Sequence, residues 1–253
     1  MNNLLKNWIR RFLPRTIKRH RILSGNLRND FIATSWHDYP GAILGSTEKP
    51  LLDWFVRHVK PGECWLDIGA HYGYTALALC RLVGPSGKIY AFEPMLSTAG
   101  CIQETRKINQ LKQLTVIPMA LGGPSSTGIQ HLAVTRGMID STIDQDSWQE
   151  SFLVSWLDKL WPELSAPSSS IHGIKIDVQG MEIDTLLGMQ NILRNHQPNL
   201  VIEVHDGVDR NLFKDALSTC GYATEAEPLE SEGPAKTEEF VSDRSYIFTP
   251  KVG

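Results

Sequence analysis

The chain has 253 residues, 42% hydrophobic and 21% charged, enough for one full-sized α/β domain with a short extension. No apolar run approaches the ~20 residues of a membrane span, and the four cysteines (Cys64, Cys80, Cys101, Cys220) follow neither a zinc nor a redox spacing. The net charge of −3 divides unevenly, +7 over residues 1–30 and −10 over the rest, so the main body is acidic and ill suited to hold nucleic acid.

At the start, Leu4, Leu5, Trp8, Ile9, Phe12 and Leu13 share one side of a predicted helix over 4–13, and Lys6, Asn7, Arg10 and Arg11 take the other; Pro14 ends it. Two readings stay open: an interfacial helix that meets anionic lipid or a partner, or an apolar stripe packed on the domain. The segment lacks the ~7–15-residue apolar core of an export signal, which leaves a cytoplasmic protein as the expectation. We divide the chain into a basic extension, 1–45, and a catalytic domain, 46–253. Within the extension, Trp36-His37-Asp38-Tyr39-Pro40-Gly41 is turn-rich and aromatic, either part of a substrate wall or a wrapping segment. A helix is expected from Thr47, with Ser46 or Thr47 as cap, Glu48 in the first turn and Leu51, Leu52, Phe55, Val56 and Val59 on one face. Lys60-Pro61-Gly62 stops it.

The next stretch organises the rest. Glu63-Cys64-Trp65-Leu66-Asp67-Ile68-Gly69-Ala70-His71-Tyr72-Gly73-Tyr74-Thr75-Ala76 reads as a buried strand, a tight glycine-bearing loop and a helix start. Gly69 lets the chain turn off the strand, and Gly73 lets the helix approach cofactor and sheet. The following strand, over 88–94, carries Glu93 at its end, 20 residues after Gly73, where a carboxylate can accept from two ribose hydroxyls. Of the three glycines in a dinucleotide fingerprint counted from Gly69 only the first is present, with His71 standing at the second position. A carboxylate at Asp67 would repel phosphate and suits a cation. S-adenosylmethionine (SAM) carries an ammonium, a sulfonium and no phosphate, and is the cofactor expected on Asp67, Gly69, Ala70, His71, Tyr72, Gly73 and Glu93.

Further elements follow: a helix over 97–109, a strand over 114–119, strand-like pieces at 129–134 and 152–156, and a small helix at 157–164. Asp140, Asp144 and Asp146 lack the glycine and terminal Glu of a calcium loop and read as solvated. Strands at 173–178 and 200–204, helices at 181–196 and 212–220, a mobile acidic segment at 225–239 and a last edge strand at 244–250 complete the pattern. Strands alternating with helices predict a mostly parallel sheet covered on both faces.

Asp-Ile-Gly-Ala-His-x-Gly, Ala-Phe-Glu-Pro, Ile-Lys-Ile-Asp-Val-Gln-Gly-Met-Glu and Glu-Val-His, in this order between about Pro61 and His205, resemble the FkbM family of SAM-dependent methyltransferases. Two positions depart from the family, His71 where Asn is usual and Gln179 where Glu is usual, and residues 1–45 are not covered. The resemblance implies a Rossmann-like class I methyltransferase fold, seven strands in the order 3-2-1-4-5-7-6 with the seventh antiparallel, and adenine beside Ala120. It also implies O-methylation of a hydroxyl on a sugar, glycan or natural product.

Ligands of such sheets bind beyond the carboxyl ends of the strands. Lys175 and Asp177 share one face of the fourth strand by its period of two, and Glu203 and His205 share one face of the fifth. These four are the catalytic candidates, Lys175 and Glu203 one step deeper and Asp177 and His205 at the rim. The acceptor hydroxyl would lose its proton to His205 or Asp177, or a divalent Mg²⁺ or Mn²⁺ held by Asp177 with His205 or Glu203 would acidify it. We favour the metal-free route and assign no metal ligand. A nitrogen acceptor, or a non-catalytic adaptor working through the basic helix, are the rival readings.

Overall fold

The computed structural model describes residues 12–135, 138–139, 148–166, 169–229 and 236–251. Most of the helix expected over 4–13, and Asp140, Asp144 and Asp146, lie outside them. Seven strands form the central sheet: β3 (Cys64–Ile68), β4 (Lys88–Phe92), β5 (Leu114–Ile117), β10 (Gly173–Ile176), β11 (Asn199–Val204), β12 (Glu227–Pro228) and β13 (Arg244–Phe248). They lie in the order β5-β4-β3-β10-β11-β13-β12, and only β13 runs against the others. That is the expected order 3-2-1-4-5-7-6.

Alternation of side chains across the pleat places the two halves of the core. Cys64, Leu66 and Ile68 of β3 face one side, together with Ile174, Ile176, Leu200 and Ile202. There they meet α5 (Leu157–Leu164), α6 (Glu182–Leu187), α7 (Gln190–His196) and α8 (Arg210–Thr219). Trp65, Ile89, Ala91 and Val201 face the other side, against α2 (Lys49–His58), α3 (Tyr74–Val83) and the chain before them. All four cysteines are free and buried. Among the described residues no helix is long and apolar enough to cross a membrane.

The chain ahead of α2 wraps the second face. Its hairpin, β1 (Lys18–Arg21) with β2 (Phe31–Thr34), docks on α4 (Leu96–Ile108) through side chains rather than through the sheet. Ala33 N donates to Thr105 Oγ1 at 2.9 Å and Phe31 N to Asn109 Oδ1 at 2.9 Å. Ile22, Leu27 and Ile32 are buried there, and α1 (Pro40–Leu44) carries the chain to α2.

Several local expectations are corrected. The helix after Thr47 begins at Lys49, and neither Ser46 nor Thr47 caps it; Glu48 precedes it in the left-handed region (φ 54°), and Val56 faces solvent. The helix expected over 181–196 is two, broken at Gly188 and Met189. Asp158 of α5 causes the break: its N–H donates to Gly188 O, and its carboxylate accepts from Asn191 and Ile192 N–H, capping α7 from another element. The acidic segment at 225–239 contributes β12, the true edge strand, so β13 is one place inside it. The pieces at 129–134 and 152–156 become β7 (Gly128–Thr135) and β9 (Trp148–Ser155). With β6 (Ala120–Leu121) and β8 (Met138–Ile139) they form a separate small sheet.

Candidate active site

A cavity of about 290 Å³ opens beyond the carboxyl ends of β3, β4, β10 and β11, at the point where the strand order reverses. Its floor is the loop after β3. Gly69 takes φ +76°, and a Cβ there would stand 1.8 Å from Asp177 O, so only glycine lets the loop cross the end of β10. Gly69 and Ala70 N–H both donate to Phe92 O at 3.0 Å. His71 is left-handed (φ 50°) and its N–H donates to Glu93 Oε2 at 2.7 Å. The other Glu93 oxygen accepts from Met95 N–H and Thr98 Oγ1. Burial pushes Glu93 up to about 7, against those donors. Gly73 serves packing, because its missing side chain admits Ile102 of α4.

Behind the loop lies a buried charge row. In register across the sheet, Asp67 pairs with Lys175, and Lys175 with Val201. Asp67 Oδ2 accepts from Thr75 Oγ1 at 2.5 Å; Oδ1 is 3.3 Å from Lys175 Nζ and has no hydrogen-bond partner. Lys175 donates to Gly69 O at 2.9 Å and lies 3.3 Å from Asp177 Oδ2. Burial pulls the ammonium down, and the carboxylates of Asp177 and Asp67 outweigh it, leaving Lys175 above its ordinary value.

One row further out stand Asp177, Glu203 and His205. Asp177 and Glu203 side chains are 27% and 29% exposed, His205 only 9%. Strand position alone put His205 at the rim and Glu203 deeper; the structure reverses them, because His205 turns back beneath the start of α6. Its Nδ1 lies 2.6 Å from Glu182 Oε1, and its Nε2 lies 2.8 Å from the Gln179 amide. Burial would lower His205, but the hydrogen bond to Glu182 and the charges of Asp177, Glu182 and Glu203 raise it. Burial would likewise raise Asp177, and Lys175 and His205 hold it below the usual carboxylate range.

Of the residues singled out in the sequence, Gly69, Ala70, His71, Glu93, Ala120, Lys175, Asp177 and Glu203 line the cavity. Asp67, Tyr72, Gly73 and His205 stand behind its wall; Tyr72 packs beside Tyr39 and reaches Asp38. The wrapping chain also supplies Asp38, Tyr39 and Glu48 to the lining, with the Tyr39 ring 5.3 Å from that of His71. Glu48, expected only in the first turn of a helix, and Glu182, the last residue of the Ile-Lys-Ile-Asp-Val-Gln-Gly-Met-Glu motif, are site residues that the sequence did not single out. An acid five residues after Asp177, at a helix start, was the available signal for Glu182.

The residues present fit SAM. Glu93 keeps acceptor capacity for ribose hydroxyls beside its two backbone donors, and Phe92, Met95, Met119 and Leu121 give an apolar slot for a base. A wall with Asp38, Glu48, Glu93, Asp177 and Glu203 against Lys175 suits a cationic ligand and opposes a pyrophosphate. The divalent ion fits less well. Asp177, Glu203 and His205 offer ligand atoms within 4.8 Å of one another. An ion there would meet the Lys175 ammonium across Asp177 and displace the Gln179 amide from His205.

The sheet order with its reversed strand, and this cavity over the first βα loop, define a class I SAM-dependent methyltransferase. The chain belongs to the FkbM methyltransferase family, whose domain model, Methyltransferase FkbM domain, matches residues 67–224. It is similar to the hexuronic acid methyltransferase AglP of Haloferax volcanii, 25% identical over 199 residues that cover 78% of this chain and 77% of that one. Among solved structures it is similar to a methyltransferase FkbM from Methylobacillus flagellatus KT, with 15% identity, 78% of this chain and 50% of that chain covered, and a TM-score of 0.48. It is also similar to Aeropyrum pernix fibrillarin with natively bound SAM, with 13% identity, 93% and 88% covered, and a TM-score of 0.48.

Proposed function

We propose that this methyltransferase acts on an uncharged hydroxyl of a sugar, glycan or natural product. The observation that carries the reading is the pair of carboxylates, Asp177 and Glu203, that open from adjacent strands onto the same cavity as the Gly69–His71 loop and Glu93. An alcohol is a weak nucleophile, and carboxylates beside it can orient it and receive its proton. When bound, SAM supplies an electrophilic methyl group on a sulfonium. Glu93, oriented by the His71 amide, would hold the nucleoside end, and Lys175 fixes the loop through Gly69 O. Tyr39 and Glu48 close the acceptor side against water.

The sugar reading is supported by the AglP relative, a hexuronic acid methyltransferase. The anionic wall argues for an uncharged acceptor in this chain, because Lys175, the cation on that wall, is already held by Asp67 and Asp177. The test is release of S-adenosylhomocysteine with a panel of neutral hexosides, hexosaminides, hexuronates and polyketide alcohols. Turnover on neutral hydroxyls is expected. Turnover confined to amines or carboxylates would overturn the reading.

A further inference from the structure

We infer that Glu203, rather than His205 or Asp177, is the group that takes the acceptor's proton, and that His205 is a positioning residue held behind it by Glu182. The inference rests on the hydroxyl reading above and assigns the base within it.

Three groups compete, and their contacts separate them. Both nitrogens of His205 are engaged, Nδ1 by Glu182 at 2.6 Å and Nε2 by Gln179 at 2.8 Å, and the ring stands behind the cavity wall. Nδ1 donates to the Glu182 carboxylate and the Nε2 lone pair accepts from the Gln179 amide, so the ring has no free lone pair to offer the acceptor. Asp177 lies on the wall, but Lys175 is 3.3 Å from one oxygen and His205 3.5 Å from the other, so it is held as an ionised, weakly basic carboxylate. Glu203 also lies on the wall, and His205, 3.5 Å away, is its ion-pair contact among the described residues. The groups that face it are Lys175 of β10 and Asp177 just past it, His205 just past β11, and Glu48 ahead of α2. Burial and then the Asp177 charge push Glu203 up to about 7, while Asp177 is driven the other way. Two carboxylates whose environments separate their affinities for a proton divide the roles of base and fixed charge.

A second hollow gives the proton a way out. Glu48 and Glu203 line both the main cavity and a neighbouring one of about 210 Å³ bounded by Pro50, Leu51, Leu229 and Ser245. A proton on Glu203 can therefore leave on the far side of the wall without crossing the cofactor. In the step, the acceptor O–H bond breaks and its proton passes to the Glu203 carboxylate. The oxygen's electron pair forms the new O–CH₃ bond, and the S–CH₃ pair stays on sulfur as a neutral thioether. Glu203 then returns the proton to solvent.

The experiment compares wild type, Glu203→Gln, Glu203→Asp and His205→Asn for SAM affinity by calorimetry, melting temperature and kcat against pH on a neutral hydroxyl acceptor. Glu203→Gln should lose ~10²–10⁴ in kcat, abolish the limb that the wild type shows near neutrality, and keep its SAM Kd; Glu203→Asp should recover part of the rate. His205→Asn should lower kcat and retain a limb. Wild-type kcat in Glu203→Gln, or a limb lost in His205→Asn and kept in Glu203→Gln, would overturn the inference alone. A wild type that binds SAM and turns over no hydroxyl acceptor would overturn the reading it rests on, and the inference with it.

Discussion

The two halves of the cavity are built differently. The cofactor half, β3, β4 and the loop between β3 and α3, is made of neighbours in sequence whose backbone amides tie Glu93 and Phe92 to Gly69, Ala70 and His71. The acceptor half gathers Asp177, Glu203, His205, Glu182, Tyr39 and Glu48 from five separate places in the chain. Backbone bonds within one βα unit leave few alternatives, so the first half is fixed by the fold. The second half is fixed by charge balance, and its chemistry can change without the fold changing. Substitutions in the two halves should therefore read out in different quantities.

The largest effect should come where the halves join. Asp67→Ala leaves the buried Lys175 with one carboxylate fewer and an emptied site, and loss of a buried partner typically costs about 3–5 kcal/mol. Chemical denaturation should show this as a lower midpoint. A stability change near zero would separate Lys175 from the cofactor half.

Glu93→Gln tests the cofactor half by itself. Charged hydrogen bonds are worth ~1.5–3 kcal/mol, so SAM affinity should fall by one to two decades while the Kd for an acceptor is unmoved. The same variant has a signed effect on stability. Burial raises the folded Glu93 from 4.5 to about 7, so the folded state holds that proton more tightly than the unfolded chain. The resulting stabilisation is complete below pH 4.5 and is lost as pH rises through 7. Glu93→Gln should thus melt higher than wild type at pH 8 without cofactor, and the gap should close at pH 4.5. A site that binds better in the less stable protein would be confirmed by both measurements together.

The acceptor half is probed by substrate charge. A hexuronate should be used with kcat/KM about 10-fold or more below its neutral hexose counterpart, since like charges placed together cost several kcal/mol. Equal efficiency would mean that Asp177 and Glu203 do not face the substrate. The smallest effect is expected of chelation: EDTA should leave kcat unchanged to within about twofold, and loss of activity restored by Mg²⁺ or Mn²⁺ would return the Asp177, Glu203 and His205 cluster to metal chemistry.

The same contrast explains what could be read from the sequence. Gly69 and Glu93 could be placed at the cavity because a strand, a glycine turn and the next strand's acid have a fixed spacing. Asp67, expected on the cofactor, instead lies behind the wall against Lys175 and Thr75. The strand order was legible through the family resemblance. The acceptor half was only partly so. Period two correctly set Lys175 with Asp177 and Glu203 with His205, but it stops at the strand end, and His205 lies one residue past β11. Nothing local signals that Glu48 and Gln179 adopt left-handed backbone (φ 54° and 55°), or that Asp158 caps a helix more than thirty residues away. These are tertiary choices that override local preference.

The docking of β2 on Thr105 and Asn109 has a consequence for biosynthesis. The N-terminal hairpin is translated early, yet its partners on α4 lie 72 and 78 residues downstream, and the Lys175 bond to Gly69 O spans 106. A nascent chain therefore emerges with Ile22, Leu27 and Ile32 of its hairpin segment unsheltered and with half of the central charge row missing. The cofactor loop can form as soon as β4 has left the ribosome, whereas the catalytic wall must wait for β11. Ribosome-bound chains stalled before that strand should present the Gly69–His71 loop without the wall that Glu203 completes.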